Sequence, residues 1–97
     1  MTVEIKGKRV LIFGLGRSGV GAANLLAHSG AEVTVTDRKA GAELGEYARR
    51  LLPSVGLSLG GYPGNMNGTD LIVVSPGVPM DIGPLAAVRE KGIEVIG

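Results

Sequence analysis

The sequence predicts an α/β fold in which a five-stranded parallel sheet lies between two layers of helices. Three observations support this prediction. Short aliphatic or β-branched runs recur along the chain, segments of helical periodicity separate them, and glycines stand at many of the junctions, with 17 glycines in 97 residues. Strands that alternate with helices form parallel sheets with helices on both faces. The length corresponds to one domain, residues 1–97.

The first strand is predicted at Arg9 to Phe13, an apolar run typical of a strand buried on both faces. A glycine turn with the spacing Gly14-x-Gly16-x-x-Gly19 follows it directly. This spacing, between a strand and a helix, is the fingerprint of Rossmann-like nucleotide-binding folds. The first glycine permits a tight turn, the second lets a phosphate approach the backbone, and the third lets the helix pack closely on the sheet.

The next two helices and the strand between them follow from periodicity and from residues that end helices. The first helix is predicted from Gly19 to Ser29, with Ser18 as its N-terminal cap. The second strand, Glu32 to Thr36, is rich in β-branched residues. The second helix is predicted from Glu43 to Leu52, because its apolar residues share one face, and Pro53 ends it.

A weaker third strand is predicted at Val55 to Leu59. The following segment, 60–68, is too rich in glycine, proline and asparagine for anything but a loop. Tyr62 and Met66 fall within this loop and receive no functional assignment from the sequence.

The last part of the chain reads as a strand, a helix and a strand. Asp70 to Val74 forms a buried strand, and Pro84 fits the first turn of a helix that ends at Lys91. Ile93 to Ile96 is the final strand. Right-handed crossovers and a switch point beside the first strand then give the sheet order 3-2-1-4-5.

Composition and charge exclude several classes of protein. A formal net charge of +1 argues against a broad basic surface for nucleic acid. The absence of cysteine excludes disulfides and thiolate metal sites. The N-terminus lacks the apolar core of a signal peptide, and no run approaches the ~20 apolar residues of a membrane span. We therefore expect a cytoplasmic protein with neither nucleic acid nor membrane as a partner.

Three segments are predicted to converge on one ligand site, since open parallel sheets bind ligands beyond the carboxyl ends of their strands. They are the glycine turn, the loop after the second strand and the turn after the fourth strand. The candidate residues are Leu15, Gly16, Arg17, Ser18, Gly19, Asp37, Arg38, Lys39, Ser75, Pro76 and Gly77.

Several of these residues have two readings. Asp37 follows Gly19 by 18 positions, near the ~20-residue offset at which an acid binds ribose hydroxyls, and it is otherwise a turn cap at the end of the strand. Arg17 is either a phosphate ligand or a solvated surface arginine. Ser18 donates to a phosphate, caps the helix, or does both. Lys39 is more typical of a solvated side chain.

The Ser75-Pro76-Gly77 turn combines a residue that fixes the backbone with one that lacks a side chain. This combination suits a flat ring or a sugar against the main chain, and it also suits an ordinary rigid turn.

His28 has no acid nearby in the pattern and is interpreted as a surface residue. The chain has no G-x-x-x-x-G-K-[ST] loop and no carboxylate pair placed for acid–base work, so the sequence predicts a binding site with no catalytic or metal residues.

Taken together, these motifs resemble those of the Mur ligases. The similarity covers essentially the whole chain, and its most specific part is Ser-Pro-Gly-Val-Pro after a hydrophobic strand. It rests on five segments, which are 7–19 around the glycine turn, Val35-Thr36-Asp37, Gly60-Gly61-x-Pro63, Asp70 to Pro79, and 92–97.

The resemblance implies the first of three ligase domains. This domain would bind the UDP part of UDP-N-acetylmuramoyl-L-alanine, and the branch it resembles adds D-glutamate. The turn at 15–19, above all Arg17 and Ser18, would hold the diphosphate. The loop 37–39 would surround the uracil and ribose, and the turn 75–77 would close over the uracil. Arg17, and the Arg38-Lys39 pair after the aspartate, depart from some relatives.

The resemblance places ATP, magnesium and the catalytic residues in the remaining domains of the full-length ligase, outside these 97 residues. The fragment alone is therefore expected to be inactive. Two other readings stay open. One is an NAD(P)-binding domain of an oxidoreductase or of a ligand-sensing regulator, which the glycine turn and Asp37 favour. The other is an interaction module with a vestigial site.

Overall fold

The computed structural model describes residues 5–63, 66–79 and 82–97. Eight elements follow one another: β1 Arg9–Phe13, α1 Arg17–His28, β2 Glu32–Asp37, α2 Gly41–Ala48, β3 Gly56–Leu59, β4 Leu71–Val74, α3 Gly83–Glu90 and β5 Glu94–Ile96. The strands form one sheet in the order β3-β2-β1-β4-β5, and every neighbouring pair is parallel. The predicted fold and strand order are confirmed.

The β1 strand alternates between the two faces of the sheet, as its apolar run predicts. Val10 and Ile12 pack into a core with α1 and α2, and Leu11 and Phe13 pack into a second core with α3. All four side chains are buried. The sheet is therefore covered by helices on both faces, and residues 10–13 of its central strand are buried. No helix within the described ranges is both long and apolar enough to cross a membrane.

The start of α1 differs from the prediction. The helix begins at Arg17, with Gly16 as its N-cap, and no side chain caps it through a hydrogen bond. Gly16 has an extended backbone, with φ −151° and ψ −162°, so the chain enters the helix there. Ser18 already lies in the first turn, where its backbone is helical, and the prediction that it is the N-cap is wrong.

The end of α2 also differs, because the helix stops at Ala48, four residues before Leu52. The cause is a side chain of α1. Asn24 Nδ2 donates to the Arg50 carbonyl at 2.9 Å, and Asn24 Oδ1 accepts from the Leu52 N–H at 2.9 Å. In a continued helix that N–H would donate to Ala48 instead. Leu52, predicted on the buried face, is 38% exposed. The start of α2 also differs, since Gly41 lies two residues before the predicted Glu43. The remaining predicted boundaries agree to within one residue.

The loop between β3 and β4 contributes to the second core. Met66 is 9% exposed, and Tyr62 packs against the same cluster with its ring centroid 4.9 Å from that of Phe13. Both residues therefore have a structural role that the sequence left unassigned. Gly64 and Asn65 of the predicted loop lie outside the described residues.

Candidate functional site

A cleft of about 650 Å³ opens at the carboxyl edge of the sheet, beside β1, where the strand order reverses. Its volume falls within the range of small-molecule sites. The eleven residues predicted from the sequence all line it, namely Leu15, Gly16, Arg17, Ser18, Gly19, Asp37, Arg38, Lys39, Ser75, Pro76 and Gly77. Five further lining residues were not predicted: Gly14, Tyr62, Val78, Pro79 and Ile82.

Two of the three fingerprint glycines are required by the chain itself. Gly14 has a φ of +103°, and a Cβ there would lie 2.9 Å from both Ser75 Cβ and Val78 Cγ2. At Gly19 a Cβ would collide with the carbonyl oxygen of Gly14. These contacts bring α1 and the turn after β4 directly onto the backbone of the glycine turn.

Gly16 is different, because nothing in the chain requires a glycine there. Its backbone is extended, and no atom lies within 4 Å of a Cβ built at this position. Any residue could adopt this conformation. The missing side chain leaves open space in the wall of the cleft, directly before the first turn of α1.

The first turn of α1 presents an electrostatically positive surface to this space. The first N–H groups of a helix have no partner within the helix, and the helix dipole favours negative charge at this end. Arg17, Ser18 and Gly19 form the first turn and line the cleft. An anion placed beside Gly16 would meet these amides.

Three cationic side chains add to this potential. Arg17, Arg38 and Lys39 are exposed and line the cleft. Within residues 5–63, 66–79 and 82–97, no acidic side chain pairs with any of them. By contrast, Arg9 and Arg50 lie outside the cleft lining and form ion pairs with Glu32 at 3.3 Å and Glu46 at 3.2 Å. The described cleft lining therefore carries three cationic side chains and one acidic side chain, Asp37.

Asp37 is the one acid among the described lining residues, and the backbone occupies both of its oxygens. Its Oδ2 accepts from the Leu15 N–H at 2.8 Å, and its Oδ1 accepts from the Lys39 N–H at 2.9 Å. The turn-cap reading of Asp37 is thus realised in the structure. Each carboxylate oxygen has a second lone pair, so the group can still accept from a hydroxyl or ring N–H of a ligand.

The Leu15 amide is consequently engaged within the protein, and its side chain is 4% exposed. Leu15 therefore contributes a buried anchor to the turn, and the amides open to an anion start after it. Arg17 and Ser18, which the resemblance puts foremost in holding a diphosphate, lie in this open part of the turn, and their role stays a prediction.

Ser75 connects the turn after β4 to the glycine turn. Its Oγ donates to the Gly14 carbonyl at 3.0 Å, and its N–H donates to the Phe13 carbonyl at 2.9 Å. The Ser75 carbonyl accepts from the Val78 N–H at 3.0 Å, which closes a tight turn around Pro76 and Gly77. Both of these residues are exposed at the rim. The rigid-turn reading is realised, and the rim leaves room for a flat group.

Tyr62 forms part of the cleft wall that sequence reasoning missed. The Gly60 N–H donates to the Asp37 and Lys39 carbonyls at 3.0 and 2.8 Å. The buried Thr36 hydroxyl donates to the Gly61 carbonyl at 3.3 Å. These bonds hold the loop against the end of β2 and bring Tyr62 to the cleft. The chain has only three aromatic residues, so a tyrosine in this glycine-rich loop could have indicated a residue of the cleft wall.

That this domain binds neither magnesium nor ATP stays a prediction. No group of three or more histidine or acidic side chains within the described ranges is close enough to hold a metal ion. The sequence also lacks the phosphate loop that binds ATP in P-loop proteins. His28, the single histidine, is exposed and does not line the cleft. The site is equipped to bind an anionic ligand, and we derive no chemical step at it.

Comparison with known families and proteins adds independent information. The family model described as Mur ligase MurD-like, N-terminal domain, matches residues 8–97. The chain is 47% identical over 95 residues to the UDP-N-acetylmuramoylalanine–D-glutamate ligase of Anaeromyxobacter dehalogenans and 48% identical over 96 residues to that of Geotalea daltonii. Each match covers 97% of this chain and 21% of the relative, so the chain spans about a fifth of their length.

Solved structures with the same fold include two dehydrogenases. SirC, a precorrin-2 dehydrogenase, superposes with a TM-score of 0.62 at 20% identity, covering 98% of this chain and 46% of that one. Shikimate dehydrogenase from Aquifex aeolicus superposes with a TM-score of 0.62 at 17% identity, covering 96% of this chain and 43% of that one. At this level of identity the likeness extends to the Rossmann-like fold alone.

Proposed function

Because the chain belongs to the Mur ligase MurD-like N-terminal domain family, we propose that its cleft binds the UDP part of UDP-N-acetylmuramoyl-L-alanine. In this proposal the whole protein is a cytoplasmic, ATP-dependent ligase that joins D-glutamate to that substrate during peptidoglycan precursor synthesis. ATP and magnesium would bind in other domains, outside these 97 residues. The fragment alone would bind substrate without catalysis.

One observation carries the proposal within the structure. The first turn of α1 and three cationic side chains, Arg17, Arg38 and Lys39, line a single cleft. A diphosphate carries the negative charge that such a site favours, and the open space at Gly16 allows it to approach the backbone. The remaining acceptor capacity of Asp37 suits the hydroxyls of a ribose or the N–H of a uracil.

The contribution of this domain to the reaction is positional. Binding energy from a part of the substrate that does not react can hold the reacting carboxylate in place elsewhere in the protein. The cleft would therefore contribute to ligation by restraining one end of the substrate. Removal of an anchoring contact here is expected to raise the KM of the whole ligase for its UDP substrate.

The proposal is tested by NMR titration of the ¹⁵N-labelled chain with UDP-N-acetylmuramoyl-L-alanine and, in a parallel sample, with NAD. We expect amide shifts at 16–19, at 37–39, and at Ser75 and Gly77 with the UDP compound. Uridine and UDP, titrated separately, assign the shifts to the nucleoside or the diphosphate.

Shifts with NAD alone would contradict the proposal and favour a nicotinamide-binding domain. Shifts outside the cleft would contradict the assigned site. If neither compound causes shifts at millimolar concentration, the same titration on the full-length protein decides the matter, and the absence of shifts there overturns the proposal.

A further inference from the structure

We propose that Asp37 and Ser75 are positioning residues that act on one peptide group, the group that joins Gly14 to Leu15. Fixing this group would hold the glycine turn ready for an anion before the ligand arrives. The inference rests on the proposed function only for the identity of that anion. It gives Asp37 and Ser75 a role in binding the phosphate part of a ligand without contact with it.

The two polar ends of this peptide group are held by different residues. The Gly14 carbonyl accepts from Ser75 Oγ at 3.0 Å, and the Leu15 N–H donates to Asp37 Oδ2 at 2.8 Å. A peptide group is planar, so restraint at its oxygen and at its nitrogen fixes the orientation of the whole plane. Rotation of this plane would break both hydrogen bonds together.

The two restraints come from opposite neighbours of the central strand. Asp37 ends β2 and Ser75 directly follows β4, and these are the strands that pair with β1 on its two edges. The backbone continues this arrangement, since the Gly14 N–H donates to the Thr36 carbonyl at 2.8 Å and the Ser75 N–H donates to the Phe13 carbonyl at 2.9 Å. Hydrogen bonds thus connect the glycine turn to the ends of both neighbouring strands.

The peptide group between Gly14 and Leu15 lies directly before the first turn of α1, whose N–H groups have no partner within the helix. Leu15 is followed by Gly16, which starts α1, and the carbonyl of Gly14 also contacts Gly19 in the first turn of that helix. The direction of the first-turn N–H groups therefore depends on the plane that Asp37 and Ser75 hold. A turn that is already oriented binds an anion with less loss of conformational entropy than a turn that must be ordered.

Because Asp37 is negatively charged, a charge effect and a positioning effect predict opposite changes in pyrophosphate affinity when the side chain is removed. If the carboxylate acts only through its charge, its removal should strengthen the binding of inorganic pyrophosphate, because like charges repel. If it orients the turn, Asp37→Ala should weaken that binding. Asp37→Asn removes the charge and keeps an oxygen that can accept from the Leu15 N–H. Its amide NH2 cannot accept from the Lys39 N–H as Asp37 Oδ1 does, so its pyrophosphate affinity should exceed that of D37A, which lacks both acceptors.

The experiment measures pyrophosphate and UDP affinities by ¹⁵N NMR titration for D37A, D37N, S75A, S75T and the D37A/S75A double variant. D37A and S75A should each weaken pyrophosphate binding by about fivefold, the scale of one hydrogen bond. S75T keeps the hydroxyl, so its pyrophosphate affinity should lie closer to that of the parent chain than the affinity of S75A does. The double variant should lose no more than about the worse single variant, because both residues act on one peptide group.

A second readout follows the peptide group without any ligand. Amide hydrogen exchange at Leu15 should accelerate in D37A and in S75A, and S75T should return it towards the parent rate. Dispersed amide spectra of D37N and S75T provide the folded controls.

Stronger pyrophosphate binding in D37A, or multiplicative losses in the double variant, would overturn the inference. A parent chain that binds pyrophosphate without preference for UDP would instead contradict the proposed function. Because Leu15 exchange needs no ligand, the two failures are distinguishable.

Discussion

The carbonyl oxygen of Gly14 occupies the space that a side chain at Gly19 would need. The helix α1 can therefore approach the end of β1 only because position 19 carries no Cβ. This contact places the first turn of the helix, with its open amides, against the wall of the cleft. The third glycine of the fingerprint is thus a packing residue, and its effect on a ligand is indirect.

Gly19→Ala should lower the free energy of unfolding by about 2–3 kcal/mol, because the new Cβ meets a backbone oxygen that cannot move freely. Gly21→Ala is the matched control, since Gly21 lies in the same helix, is exposed and has no atom within 4 Å of a Cβ. It should raise the free energy of unfolding by about 0.5–1 kcal/mol. Urea unfolding measures both values, and equal stability of the two variants would contradict the packing role of Gly19.

Gly16→Val should leave the chain folded and weaken UDP binding, because its side chain would fill the open space beside the first turn of α1. We expect a loss of about tenfold or more, since the phosphate could no longer approach the backbone. Gly16→Ala should show a smaller loss in the same direction. UDP titration measures the affinities, and Gly21→Ala again controls for the effect of a new side chain. Unchanged affinity in Gly16→Val would show that the anion binds elsewhere.

Arg17→Gln should weaken UDP binding more than uridine binding, because Arg17 lines the cleft in the first turn of α1 and its positive charge would attract the diphosphate. The expected loss for UDP is about threefold to tenfold at low salt, and it should shrink as added salt screens the charge. Arg49→Gln is the matched control, because Arg49 follows α2 and does not line the cleft. An equal effect of both substitutions would indicate that UDP responds to the overall charge of the chain and makes no local contact with Arg17.

Asn24→Ala should lower the free energy of unfolding by about 0.5–1.5 kcal/mol, because it removes the two exposed hydrogen bonds to the Arg50 carbonyl and from the Leu52 N–H. Asn24→Asp keeps the acceptor for the Leu52 N–H but places a second oxygen against the Arg50 carbonyl, so it should also be less stable than the parent chain. Chemical denaturation measures the stability. If Asn24→Ala unfolds at the same denaturant concentration as the parent chain, the side chain has no stabilising role at the end of α2.

The fold could be predicted from the sequence because its determinants are local. The run Val10 to Phe13 is apolar at every position, and this pattern alone indicates a strand buried on both faces. Alternation of strands and helices then leaves few arrangements of the sheet. The candidate site followed from the same rule, since residues at the carboxyl ends of adjacent parallel strands must meet at one edge.

The missed features depend on contacts between distant residues. The last turn of α2 depends on Asn24, which lies 28 positions before its partner Leu52. The Asp37 carboxylate reaches back 22 positions to the Leu15 amide, so the sequence could not show that its oxygens already have partners. Tyr62 lies in a segment rich in glycine and proline, and its place in the cleft wall depends on hydrogen bonds that link Gly60 and Gly61 to residues 36–39, more than 20 positions earlier.

The central position of β1 has a consequence for how the chain acquires its structure during synthesis. β1 leaves the ribosome before the other strands, yet one of its edges pairs with β2 and the other with β4. The edge that faces β4 stays unpaired until Leu71 to Val74 have been made. During that interval the most apolar strand of the nascent chain offers an open edge to other strands, which is the circumstance in which intermolecular aggregation competes with folding.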